Sequence, residues 1–178
     1  MLATTIKRIT HDIDQLKSLD NIDLEVSDNL KVITCYIDGP ADTIYEDGRW
    51  KVTLEFPDKY PYNSPSIGFV DKIYHPNIDF ASGSICLNAL NEEWRPIYTV
   101  KHILSVFLPQ LLTYPNPDDP LNPNAASLYI EDMENFNKTV NVVLQNETII
   151  SISKDLNLEK INKDNQTIIY DCEGLTMS

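Results

Sequence analysis

Basic residues are scarce in this chain. Fourteen Lys and Arg stand against 27 Asp and Glu, a formal net charge of −13. A nucleic-acid binder must neutralise phosphates with a basic surface, so this balance weighs against that class. It fits plain solubility or a preference for basic partners. No apolar run reaches the ~18 residues that span a bilayer, so no membrane-crossing helix is expected. The opening stretch MLATTIKRITHDIDQLKSL is too polar and too acidic for a signal or transit peptide, which points to a cytoplasmic or nuclear protein. Cysteine is also sparse: Cys35, Cys86 and Cys172 are odd in number and widely spaced. That is neither a disulfide framework nor a CxxC metal signature. The five glycines form no phosphate-cradling loop, so no nucleotide cofactor is expected.

What is present suffices for one compact domain. At 42% hydrophobic over 178 residues the chain can bury a core. Ile6, Ile9, Ile13, Leu16 and Leu19 recur near the helical period, with Lys7, Arg8 and Asp12 off that stripe, and predict an amphipathic first helix. Strand-like runs follow at 24–27, 32–37, 50–56 and 66–70, separated by short turns. Such short links favour an antiparallel meander, because parallel pairs need long crossovers. Within VITCYI, Cys35 shares a face with Ile33 and Ile37 and should pack as a small hydrophobe. Residues 71–98 are irregular and rich in turn formers, as functional segments inside compact domains often are. Thr99 is placed to cap a central helix carrying Ile103, Leu104, Phe107, Leu108, Leu111 and Leu112. Pro109 must remove one of that helix's backbone bonds and bend it. The run YPNPDDPLNPN, with four prolines in eleven residues, stops it. Residues 125–133 and 136–148 read as two further helices. The expected class is therefore α+β: a helix, a four-stranded antiparallel sheet, a long irregular segment, then a central helix and C-terminal helices. Residues 1–150 should form the domain, and 151–178 a helical or flexible extension.

The chemistry concentrates in YHPNIDFASGSICLNAL, residues 74–90, where His75, Asn77 and Cys86 crowd together. A zinc site needs about four ligands, and only His75, Asp79 and Cys86 are near, so no metal is expected. A thiol protease needs an activated cysteine and a histidine base. No Lys or Arg lies between Lys72 and Arg95, while Asp79, Glu92 and Glu93 are close. The thiol should stay near its free pKa of about 8.5, which serves a protease badly. A thioester carrier is different. Thiol–thioester exchange is nearly thermoneutral, so an ordinary thiol can both attack and leave. A carrier also needs an oxyanion donor, for which an amide such as Asn77 is suited, and an acidic or hydrogen-bonding group for an incoming amine, which the DDP of the proline-rich loop could supply. On local chemistry alone, Asn77 as a turn residue and His75 as a loop brace remain open.

These residues carry a family likeness. YPYNSP (60–65), IYHPNI (73–78), SGSICL (82–87), Trp94-x-Pro96 and YPNPDDPLNPNAA (114–126), with WKVTLEFP and IKRI upstream, resemble the ubiquitin-conjugating enzymes in family order over about 150 residues. The nine positions from Asn77 to Cys86, one more than in many members, together with PSIGF, NIDFASG and FLPQLLTYPNP, resemble the H-type subgroup. The Pro109 bend belongs to the same pattern.

The resemblance implies a UBC-like fold and a carrier that accepts ubiquitin on Cys86 from the activating enzyme and passes it to lysines with a ligase. ATP is spent by the activating enzyme, so the carrier needs no cofactor. It implies Asn77 as oxyanion stabiliser or loop organiser, Asp119 as the group orienting the acceptor lysine, and His75 as structural. It implies Lys7 and Arg8 as contacts to the activating enzyme, and Tyr62, Pro96 and Ile97 as ligase contacts. Partners are then ubiquitin, the activating enzyme, a ligase and protein substrates, with the carrier a monomer. The same chemistry could carry a different ubiquitin-like modifier, and a scaffold without catalysis would be expected to lack the cysteine. Asn88 stands where many members have Asp or Ser, with Glu92 or Glu93 as possible substitutes. Arg95 stands where many have Ser or Thr, and Tyr62 where Phe is common. The tail after Ile149 lacks the acidic, Ser-rich character of H-type tails.

Overall fold

The computed structural model describes residues 3–19, 23–85 and 94–155, with side chains as far as residue 146. The chain divides into two compact units, Met1–Glu147 and Thr148–Ser178. Cys86, Asn88, Glu92, Glu93, Cys172 and the expected extension beyond Asp155 lie outside the described residues.

In the first unit, helix α1 (Ala3–Lys17) precedes four strands, β1 (Leu24–Val26), β2 (Val32–Asp38), β3 (Arg49–Glu55) and β4 (Ser66–Phe69). The strands form one antiparallel sheet in chain order, as short links demand. β2 and β3 pair along their whole length, from Val32 opposite Glu55 to Asp38 opposite Arg49. Alternation sends Ile33, Cys35 and Ile37 to the buried face with Trp50, Val52 and Leu54. Cys35 packs there as expected, and burial pushes its thiol up to about 11. Ile9, Ile13 and Leu16 of α1 join the same core.

The face of α1 differs from the expected stripe in two places. Ile6 is exposed, while Asp12 is fully buried between Ile9 and Leu16. A helical wheel assigns a carboxylate to solvent. It goes inward here because Arg8 and Tyr60 both donate to it.

The central helical stretch comes in three parts: α2 (Val100–His102), a π turn (Ile103–Phe107) and α3 (Leu108–Thr113). Thr99 caps it as anticipated, its hydroxyl accepting from the His102 amide at 3.2 Å. The π turn is how the helix accommodates Pro109. A proline has no N–H for the carbonyl four residues back, and its ring collides with that carbonyl. One extra residue in the preceding turn relieves this, and the Leu108 amide reaches back five residues to Ile103. Ile103, Leu104, Phe107, Leu108, Leu111 and Leu112 all point into the core.

Helix α4 (Pro123–Glu131) starts with Asn122 as cap and Pro123 in the first turn, both favoured there. Helix α5 (Met133–Asp155) runs past the point where apolar periodicity fades, and buries Phe136 and Val140.

Candidate active site

The segment 71–85 has little regular structure, so its shape depends on where its backbone groups find partners. Two buried side chains from outside the segment, and one from within it, hold it. Trp50 Nε1 donates to the Lys72 carbonyl at 3.3 Å, and the Tyr45 hydroxyl to the Tyr74 carbonyl at 2.8 Å. His75 Nε2 lies 3.0 Å from the Leu111 carbonyl, while its Nδ1 accepts the Asn77 amide. An acceptor at Nδ1 and a carbonyl at Nε2 fix one neutral tautomer with the proton on Nε2. Neither nitrogen is left for a metal or a proton-transfer step.

Burial holds His75 in that form and lowers its pKa to about 4, although the Leu111 carbonyl opposes the shift. In the unfolded chain the ring titrates near 6.5. As pH falls below about 6.5 the unfolded state takes up the proton first, so stability declines until both states are protonated near pH 4. Folding stability should therefore fall by up to roughly 3 kcal/mol across that window. Urea unfolding of wild type and His75→Gln at several pH values isolates this contribution. Parallel pH profiles for the two proteins would refute it.

After Asn77 the chain folds into a tight hairpin. Ile78 pairs with Ile85, the Asp79 amide bonds the Ser84 carbonyl at 3.0 Å, and the Ile85 amide bonds Ile67 of the neighbouring segment at 3.2 Å. The Asp79 carboxylate accepts from the Ser82 amide and hydroxyl, and these bonds lower its pKa. Lys72 reaches across to donate to the carbonyls of Phe80 and Ala81 at 3.0 and 2.8 Å. Gly83 closes the turn at φ +72°, where its carbonyl accepts the Phe69 amide. A Cβ at this position would sit 1.9 Å from the Phe69 carbonyl oxygen. Gly83→Ala combines that collision with an unfavourable dihedral, and should cost at least ~2 kcal/mol, visible as a drop of about 5 °C or more in Tm. An unchanged melting curve would show that the turn can relax. Cys86 follows Ile85 in the chain.

The proline-rich loop is fastened to the same segment. Asn77 is fully buried, and its Nδ2 donates to the carbonyls of Asn116 (2.6 Å) and Asp119 (3.1 Å). Its Oδ1 accepts from the Asn116 amide at 2.8 Å. The Leu121 and Asn122 amides both bond the Pro76 carbonyl at 2.9 Å. Asp119 thus has its backbone held while its side chain is exposed.

The other expected site residues are carried by α1 and by the loops around Tyr62 and Ile97. Tyr62 and Ile97 are each 79% exposed, and Pro96 between Arg95 and Ile97 is exposed as well. Their loops are joined where Trp94 Nε1 donates to the Pro61 carbonyl at 2.7 Å. Lys7 is exposed on α1, whereas the Arg8 guanidinium turns inward to Asp12 and to the carbonyls of Pro96 and Tyr98. Sequence reasoning passed over Tyr45, Lys72 and Gly83 as parts of this architecture. For Tyr45 and Lys72 no local pattern signals the role, because their partners are carbonyls. The glycine between two serines was a turn signal of the ordinary kind.

Comparison with known proteins places this geometry in context. The family described as "Ubiquitin-conjugating enzyme" matches residues 6–144. The chain is 43% identical over 139 residues to Ubiquitin-conjugating enzyme E2 5 of Arabidopsis thaliana, covering 78% of this chain and 75% of that protein. It is 45% identical over 140 residues to Ubiquitin-conjugating enzyme E2-23 kDa of Triticum aestivum, covering 78% and 76%. Among solved structures, a ubiquitin conjugating enzyme from Plasmodium yoelii superposes with a TM-score of 0.73 at 34% identity, covering 83% of this chain and 97% of that one.

Proposed function

The chain belongs to the ubiquitin-conjugating enzyme family and is a thioester-forming transferase of that pathway, and from that premise we propose which of its residues do the work. Cys86 is the carrier thiol. Its sulfur attacks the thioester carbonyl joining ubiquitin's C-terminal glycine to the activating enzyme, a new S–C bond forms, and the activating enzyme's thiol leaves with the proton. A lysine amine then attacks the Cys86 thioester, and Cys86 departs as the leaving thiol while the amine nitrogen loses its proton.

The observation that carries this reading is the clamp between Pro76–Asn77 and the loop 116–122, which stands beside the hairpin leading directly into Cys86. It fixes the backbone of Asp119 next to the reacting segment with the carboxylate toward solvent, where an incoming amine can meet it. Both Asn77 amide protons are engaged by carbonyls, so Asn77 acts by ordering this loop and not as a free oxyanion donor. His75 is structural, since neither ring nitrogen can exchange a proton without losing a buried bond.

Tyr62, Pro96 and Ile97 form the ligase contact: an exposed aromatic and a rigid proline suit such anchors. Lys7 serves docking of the activating enzyme, with Arg8 beside it. ATP is consumed by that enzyme alone. Residues 1–150 form the conjugating domain and 151–178 an extension, and the nine positions from Asn77 to Cys86, spanned by the Gly83 hairpin, favour the H-type subgroup. With activating enzyme, ATP and a panel of modifiers, ubiquitin should give a thiol-sensitive adduct. Charging with a relative alone would redirect the assignment to that modifier.

A further inference from the structure

We infer that Arg8, Asp12 and Tyr60 form a lock that sets the shape of the loop 94–98, so that Arg8 is a positioning residue for ligase docking. This rests on the reading of Tyr62, Pro96 and Ile97 as the ligase contact.

The loop between Trp94 and Tyr98 presents its apolar residues outward and has carbonyl groups that need donors. Arg8 supplies them from α1, 88 and 90 positions away: one terminal nitrogen lies 2.6 Å from the Pro96 carbonyl and the other bonds the Tyr98 carbonyl. Its Nε rests on the Asp12 carboxylate at 3.1 and 3.3 Å. Asp12 in turn accepts the Tyr60 hydroxyl, and the Arg8 guanidinium lies 5.5 Å from the centre of the Tyr60 ring. Burial first, then the bond to Asp12, raises the Tyr60 pKa, so its hydroxyl stays a donor. The circuit closes through the adjacent Pro61, whose carbonyl accepts Trp94 Nε1. The helix, the Tyr62 loop and the Ile97 loop are therefore tied by one set of side chains.

The chemistry of the parts explains their choice. Arginine alone offers five N–H groups in a fixed fork, enough to meet a carboxylate and two separate carbonyls at once. A buried charge pair adds little net stability and is better suited to selecting one arrangement. Asp12 gains by orienting the fork, and the fork gains by holding Pro96 and Tyr98. The outward result is that Ile97 projects from a backbone braced on both sides. Preorganised contact residues bind with less ordering cost.

The test uses the full chain with Arg8→Ala, Arg8→Lys and Tyr60→Phe, and Ile97→Ala as control. The probe is a ligase domain selected from a panel because it accelerates discharge of the charged wild-type protein. Arg8→Ala should speed hydrogen exchange of the Tyr98 amide, which bonds the Arg95 carbonyl, by at least about tenfold. It should raise KM for the ligase about tenfold, while kcat measured on protein already charged stays within about twofold. Arg8→Lys should keep KM raised by roughly fivefold or more, since an ammonium cannot span three acceptors. Tyr60→Phe, which retains the ring, should shift exchange and KM in the same direction by about threefold. Full recovery by Arg8→Lys would show that charge and not the fork matters, and would overturn the lock. So would an unchanged KM in Arg8→Ala, or a fall in kcat with KM unmoved. If Ile97→Ala leaves KM unchanged, the ligase reading falls, and the exchange rate of the Tyr98 amide in Arg8→Ala still decides whether the lock exists.

Discussion

Cys86→Ser is expected to convert a reducible ubiquitin adduct into one that survives thiol reductant. The wild-type protein, incubated with activating enzyme, ATP and ubiquitin, should gain one adduct that disappears on adding excess thiol. A serine at the same position can still attack the activated glycine, but it forms an oxygen ester. An alkoxide is a far poorer leaving group than a thiolate, so the ester resists both thiols and amines. Discharge to lysine should fall by at least about a hundredfold, equivalent to ~2.7 kcal/mol or more in the barrier. Electrophoresis with and without reductant reads the adduct directly. The sequence offers two other thiols, Cys35 and Cys172, which makes the choice of residue testable. Cys35 is buried in the sheet core with its thiol pushed up to about 11, so it is protonated and inaccessible at neutral pH. Cys35→Ala should therefore retain the reducible adduct. A wild-type protein that fails to charge with a competent activating enzyme would refute the carrier assignment, and a reducible adduct persisting in Cys86→Ser would move it to another thiol.

Asn77→Ala should separate the two half-reactions. Charging is expected to persist within about threefold, while discharge to lysine falls by roughly ten- to a hundredfold, ~1.4–2.7 kcal/mol. The reason lies in what the amide holds. Its loss leaves the Asn116 amide and the carbonyls of Asn116 and Asp119 without their buried partner. Unsatisfied groups of this kind cost about 1–3 kcal/mol each unless the loop opens to water, so the loop should open. Asp119 then loses the backbone bond that ties it to Asn77, and the incoming amine loses its orienting group. Hydrogen exchange provides the discriminating measurement: the amides of Asn116, Asp118 and Asp119 should exchange faster in Asn77→Ala, and discharge should slow in proportion. Slower discharge with unaltered exchange would favour direct oxyanion stabilisation. Unchanged discharge would remove Asn77 from the mechanism.

Local rules carried much of this architecture. Period-two alternation identified the strands and the buried face that holds Cys35, and their short links set the antiparallel order. Thr99 and Pro109 marked the start and the interruption of the central helix through properties of single residues. The proline's effect was legible as a lost bond, but its form as a π turn was not, because that depends on how Ile103, Leu104 and Phe107 must still reach the core. The motif around His75 and Asn77 was legible as chemistry. Its mechanism of support was not: a donor's partner cannot be read from its own neighbours.

The sequence by itself determined the α+β order, the family likeness and the crowding of His75, Asn77 and Cys86, since each follows from periodicity, turn chemistry or contiguous motif. Tertiary structure alone decided that Asn77 spends its amide on Asn116 and Asp119, that His75 is neutral against Leu111, and that Asp12 and Arg8 turn inward. Each of these depends on a partner tens of positions away, and a buried polar group takes its charge state and its role from partners that only the folded chain brings within hydrogen-bond reach.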